Sequence, residues 1–145
     1  MHATPPAPSR LSTVTGSLGA ILIILSAPAH SLMGWPEIQS ELARVNASAD
    51  LVLGLQVGWH FGGAAMAALG LIVLHLFYSR ARGIDASRVP ACTVAGLYLL
   101  FGAAALVVSG LDPFFLVFIG PGALVLVEDD DIERGALQLD EAEGG

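Results

Sequence analysis

The chain of 145 residues holds a single cysteine, Cys92, and only 13% charged residues. One thiol cannot supply an intramolecular disulfide, a redox dithiol or a four-ligand zinc site. A soluble domain carries about 25% charged residues, so too little charge is present to cover a water-facing surface. Basic residues are scarcer still: six, all arginine, against 13 acids. That balance excludes a protein that tracks nucleic-acid phosphates. No pair of carboxylates lies inside an uncharged segment, so a transmembrane proton or cation relay lacks its usual groups. No glycine-rich loop follows a strand pattern to cradle phosphate, and no serine-centred motif gathers Ser, His and Asp. The expectation is a protein that is not an enzyme.

What the chain does have is length without charge. Hydrophobic residues make up 54% of it, and the mean hydropathy is +0.72. Four uncharged segments stand out, at about residues 11–33, 51–78, 89–111 and 113–127. A hydrocarbon core of ~30 Å takes about 20 helical residues at ~1.5 Å each. The first three segments satisfy that length. The fourth is short, and Pro121 between Gly120 and Gly122 is expected to kink it, so it either spans a locally thinned bilayer or dips in and returns. The fold class that follows is all-α: an integral membrane bundle of four transmembrane helices over residues 11–127. A proline-rich leader (residues 1–10) precedes it and an acidic tail (residues 128–145) follows, both expected to be disordered.

Between the first two segments, Trp35-Pro36-Glu37 reads as a helix start: an interfacial Trp, a first-turn Pro and an acid near the positive dipole end. Ile38, Leu42 and Val45 share one face, with Glu37, Glu41 and Arg44 off it. The spacing predicts a short amphipathic helix over about residues 36–46 lying on the membrane surface. At the N-terminus, Arg10, the apolar run 20–25 and Ala27-Pro28-Ala29 also have the order of a cleavable signal peptide. A true first span is preferred, because the apolar stretch continues through Leu32 and Met33. Arg80, Arg82 and Arg88 concentrate in the loop between segments two and three, which predicts an inner-membrane protein with both termini cytoplasmic.

The second segment carries two stripes. Gly54, Gly58 and Gly62 stand four apart, with Ala65 on the same side, a spacing that lets another helix approach closely. It predicts either an intramolecular seam or a homo-oligomer contact. Roughly opposite lie Gln56, His60, Ala64, Ala67, Leu71 and His75, at about 100° per residue. Polar groups within lipid are expensive unless paired, so they are functional candidates. His30, at the outer end of the first segment, is the natural partner of His60, and with Gln56 the pair could hold a lipophilic molecule, a haem or a metal. Counting from segment ends puts the two histidines on the order of 10 Å apart in depth, which favours packed or hydrogen-bonded imidazoles over axial ligands. One glutamine and a few histidines are thin material for a small transporter.

The runs Ala29-His30-Ser31-Leu32-Met33-Gly34-Trp35-Pro36 and Gly58-Trp59-His60-Phe61-Gly62-Gly63-Ala64-Ala65-Met66 resemble those of a set of small prokaryotic multi-pass membrane proteins. Those are similar in length and have about four spans, and the likeness covers roughly residues 15–125. The resemblance implies the topology and no activity. The function expected from the residues is therefore that of an accessory subunit or helix-packing component, alone as a homo-oligomer or in a larger membrane complex.

The formal charge of −7 is not spread along the chain. Residues 1–127 hold five arginines and five acids, which cancel, whereas residues 128–145 hold eight acids and one arginine. The membrane body is neutral, and the carboxylates from Glu128 onward end the fourth segment, since they are expelled from hydrocarbon. The tail reads as a solvated segment repelled by anionic headgroups.

Overall fold

In the computed structural model of the protein, residues 10–127 are described; residues 1–9 of the expected leader and the acidic tail (residues 128–145) lie outside them, and Arg10 begins the first helix. The described residues are helical, with no strand among them. The elements are α1 (Arg10–Ala29), a π-helical turn (His30–Gly34), α2 (Trp35–Arg44), α3 (Ala49–Ala81), α4 (Val89–Val108) and α5 (Pro113–Val127), which opens on the 3-10 turn Pro113–Phe115. Three stretches are long and apolar enough to cross a membrane: Leu11–Arg44, Ala49–Ala81 and Val89–Val108. The fourth, α5, is shorter; its 15 residues reach about 22 Å.

The first difference from expectation lies at Trp35. The short amphipathic helix expected over about 36–46 is present as α2, Trp35–Arg44, but it continues α1 through the π-turn without a break. Gly34, at the junction, is itself helical (φ −75°, ψ −37°) and no side chain caps the turn. Two prolines bracket this place, Pro28 within α1 and Pro36 in the first turn of α2. Each lacks an N–H, so an ordinary i→i−4 ladder cannot run through both. Between them, His30–Gly34 rewind to i→i+5 spacing without ending the helix.

The true helix ends are built by local chemistry. Asn46, Gly83 and Gly110 adopt left-handed φ values of 52°, 75° and 74°. In each case the following N–H reaches back to the helix, as Ile84 N–H does to Ser79 O (3.0 Å) and Leu111 N–H to Leu106 O (2.7 Å). This paired closure satisfies carbonyls that would otherwise be orphaned. It also stops α4 at Val108, three residues before the uncharged run ends. Ser48 Oγ accepts from Leu51 N–H at the start of α3 (3.3 Å), and Asp112 Oδ1 accepts from Phe114 N–H at the start of α5 (2.9 Å). Asp112 is thus a cap, as its place before Pro113 suggests.

The chain divides into two compact units. In the first, the described residues are 10–20 and 72–127. Its core holds Ala20, Val73, Phe77, Ala95, Tyr98 and Val125. Phe77 has no exposed surface, and its ring rests on Gly16, where a Cβ would come within 2.5 Å of Cε1. Gly102 of α4 and Gly122 of α5 likewise let these two helices approach: a Cβ at Gly122 would lie 3.1 Å from Ala95 O and one at Gly102 2.8 Å from an Ile119 carbon. Pro121 is buried within α5, and its carbonyl stands 2.9 Å from a Cβ built at Gly19. Phe118 completes this packing against Tyr98 (6.0 Å between centroids) and, edge-on, Phe101 (4.9 Å). Small residues at the crossings let backbones approach, which is what drives association where lipid tails are as apolar as leucine. The second unit, Ile21–Leu71, contains the candidate site.

Candidate functional site

Within the second unit the rod 21–44 and the α3 residues 49–71 form an antiparallel hairpin. Contacts fix its register. Gly70 faces Ile24, where a Cβ would meet Cγ1 at 2.7 Å and the backbone N at 3.0 Å. Gly63 faces Ser31 and Ala27, whose carbonyl would stand 3.3 Å from a Cβ. Gly34 faces Trp59, whose Cζ2 would stand at 2.7 Å. The intramolecular seam of α3 therefore runs through Gly63 and Gly70.

This relocates the expected ridge. Gly62 only flanks the seam, with His30 Nε2 3.4 Å from its Cβ position, and Gly54 and Gly58 have nothing within 4 Å. Ala65 is half-buried. At about 100° per residue, Gly58 and Gly63 point about 140° apart. A helix seated on Gly63 and Gly70 thus leaves the Gly54–Gly58 side uncovered, and Phe61 on that same side is 74% exposed.

At the top of the seam four rings share one layer. His30 stacks on Trp59, with centroids 4.1 Å apart and planes inclined by 10°. Trp59 Nε1–H donates to the His30 carbonyl (2.7 Å), and His30 Nε2 lies 3.2 Å from the Trp59 carbonyl. A carbonyl only accepts, so Nε2 carries the hydrogen and Nδ1 keeps the lone pair. Each side chain thereby binds the other residue's backbone, a reciprocal clasp across the hairpin. One π-turn further on, Trp35 is buried and lies 6.0 Å from the His60 ring, tilted by 54°. In an α-helix residues 30 and 35 would project about 140° apart; the wider winding brings both toward α3.

The expected pairing of His30 with His60 is replaced by two crossed pairs, His30–Trp59 and His60–Trp35. The depth offset of ~10 Å was counted from segment ends. It assumed that the first helix ended near residue 33, whereas the rod continues to Arg44 and meets α3 through a short turn. Gln56 sits one turn before His60 on α3; both are half-buried, and among the described residues neither has a hydrogen-bond partner. His75 is exposed near the far end of α3, and Cys92 is half-buried on α4. Among the described residues no three His, Cys, Asp or Glu side chains are grouped to hold a metal ion.

Sequence reasoning missed Trp59, which looked like one more aromatic within a span, and the π-turn. The available signal was the pair Pro28 and Pro36, eight residues apart around the run His30–Gly34. Comparison with known proteins adds no counterpart: no family model, no curated protein and no solved structure matches this chain. The resemblance to small prokaryotic multi-pass proteins rests on the two quoted motifs.

Proposed function

We propose that the protein is a multi-pass membrane component that acts by association with other membrane helices, as an accessory subunit or a homo-oligomer. The observation that carries this reading is the Gly54–Gly58 side of α3. Elsewhere on the hairpin, glycines are where helices touch; here two of them, four residues apart, face no neighbour among the described residues. Small residues at that spacing are of use in lipid only to a helix that packs on them. The proposal includes the bilayer as the first partner and the arginine-bearing loop at Arg80, Arg82 and Arg88 on the cytoplasmic side of the inner membrane. With four spans, that loop puts both termini in the cytoplasm.

The test is the double substitution Gly54→Leu/Gly58→Leu, followed by crosslinking in membranes and a native gel in mild detergent. Assembly should be lost while the monomer keeps its helicity and abundance, because no contact among the described residues is touched. An unchanged assembly state overturns the reading.

A further inference from the structure

We propose that the acidic segment beginning at Glu128 docks on a layer of arginines in the first unit, at the end where α3 closes and α4 begins. Register within that unit places the layer. Phe77 meets Gly16, Pro121 and Val125 meet Gly19, and Gly122 meets Ala95 and Tyr98. Distances along the helices follow from these crossings at ~1.5 Å per residue. Beyond the Gly16–Phe77 crossing, Arg80 lies at about 5 Å, Arg82 and Arg88 at about 8 Å, and the start of α1 at Arg10 at about 9 Å. Four of the six arginines of the chain therefore occupy one slab about 5 Å thick. Val127, the last described residue, ends α5 within about 2 Å of the same crossing, so α5 points at the slab.

Charge and tether select the occupant. Among the described residues this end of the unit holds one carboxylate, Asp85, against the four arginines, a net charge of +3; Asp112 lies at the opposite end of α4. Five of the six residues 128–133 are acids. Six residues reach at most about 20 Å, and packed helices stand about 8–10 Å apart, so every arginine of the slab is within range. Arg82 is exposed and held in place: its Nη1 donates to the Tyr78 hydroxyl (2.9 Å), and its Cζ stands 5.7 Å from that ring's centroid. Both contacts are with a neutral side chain, so the positive charge of Arg82 is not cancelled. The remaining described arginine, Arg44, is already paired with Glu41 (2.7 Å). Anionic headgroups repel the carboxylates, whereas the tether keeps them near the slab at an effective concentration in the millimolar range. The docking lies in the first unit and does not rest on association through Gly54 and Gly58, which belong to the second.

Disulfide trapping in the full chain tests the docking. Cys92→Ala removes the single native thiol. Ala81→Cys, at an exposed position between Arg80 and Arg82, and Ile132→Cys are then added. Oxidation by copper phenanthroline is followed in phosphatidylcholine nanodiscs, with each rate normalised to the alkylation rates of the two thiols. An intramolecular disulfide should form at least fivefold faster in 10 mM than in 1 M NaCl, between which the screening length falls from about 30 to about 3 Å. At 10 mM salt, Arg82→Gln/Arg88→Gln should slow it at least fivefold with unchanged far-UV circular dichroism. Asp129→Asn/Asp130→Asn/Asp131→Asn, which touches no described residue, should do the same. Reversing both sides, with Arg82→Glu/Arg88→Glu and Asp129→Arg/Asp130→Arg together, should restore the rate. A rate indifferent to salt and to both neutralisations overturns the proposal, as does a disulfide that forms only between two chains. An effect of the arginine substitutions that appears only when phosphatidylglycerol replaces part of the phosphatidylcholine assigns the slab to headgroups and overturns it as well.

Discussion

The clasp between His30 and Trp59 can be removed in parts, and its worth estimated from its geometry. It comprises a short hydrogen bond from Trp59 Nε1 (2.7 Å), a longer one at His30 Nε2 (3.2 Å) and a ring stack at 4.1 Å. Side-chain hydrogen bonds between membrane helices average about 0.6 kcal/mol and reach about 1.7; a stacked aromatic pair contributes about 0.5–1.5. Taking about 1 kcal/mol for the short bond, about 0.5 for the long one and about 0.5–1 for the stack gives a clasp worth about 2 kcal/mol in all. Trp59→Phe removes only the N–H and keeps a ring over His30 and Gly34, so it should cost about 1 kcal/mol. A double-mutant cycle with His30→Ala and Trp59→Leu should return about 0.5–1 kcal/mol, the stack alone, because each hydrogen bond ends on a backbone carbonyl that the other substitution leaves in place. The assay is reversible unfolding in mixed micelles, followed by far-UV circular dichroism, with all four proteins at one detergent composition. A cycle energy within about 0.3 kcal/mol of zero, the usual additivity error for independent sites, would refute the clasp as an energetic unit.

Other substitutions probe the remaining contacts. Gly63→Leu drives a side chain into Ser31 and the Ala27 carbonyl and should destabilise by about 1–3 kcal/mol, as overpacking does; Gly58→Leu in the same unfolding assay should change monomer stability by less than about 0.5. Phe77→Ala empties a fully buried site above Gly16. It should cost about 2 kcal/mol, below the ~3–5 of soluble cores, because an unfolded but inserted helix already keeps that ring out of water. Leu111 holds a left-handed φ of 71° and is exposed. Leu111→Gly should therefore stabilise by about 0.5 kcal/mol, the left-handed penalty of roughly 1–2 less the added freedom of the unfolded chain. A loss of stability there would show that the side chain packs in the membrane against something outside this unit.

Much of the architecture was legible because it follows from hydrogen-bond accounting. An uncharged run long enough to cross lipid must be helical, since no other open structure satisfies its backbone there, and α3 and α4 appear where those runs lie. The helix ends were not read from the sequence: Asp112 caps α5, and Gly83 and Gly110 close α3 and α4, through local turn chemistry that the structure displays. The site was less legible, for an identifiable reason. A four-residue glycine spacing says which face of α3 is smooth but not which way that face turns. The seam fell on Gly63 and Gly70, about 140° from Gly58 at about 100° per residue, and took the bundle contact with it.

Sequence by itself determined that this is an all-helical chain with three membrane-length helices and a shorter fourth, and that its membrane body carries no net charge. Both are sums over local residues: apolar length against bilayer thickness, arginines against carboxylates. Tertiary structure alone decided that the first helix passes through Trp35 unbroken, that His30 meets Trp59 while His60 meets Trp35, and that Gly54 and Gly58 are left open. These depend on the rotation and register of one helix against another. Two prolines, by withholding their N–H groups, reset that rotation over five residues, and no count along a single helix contains it.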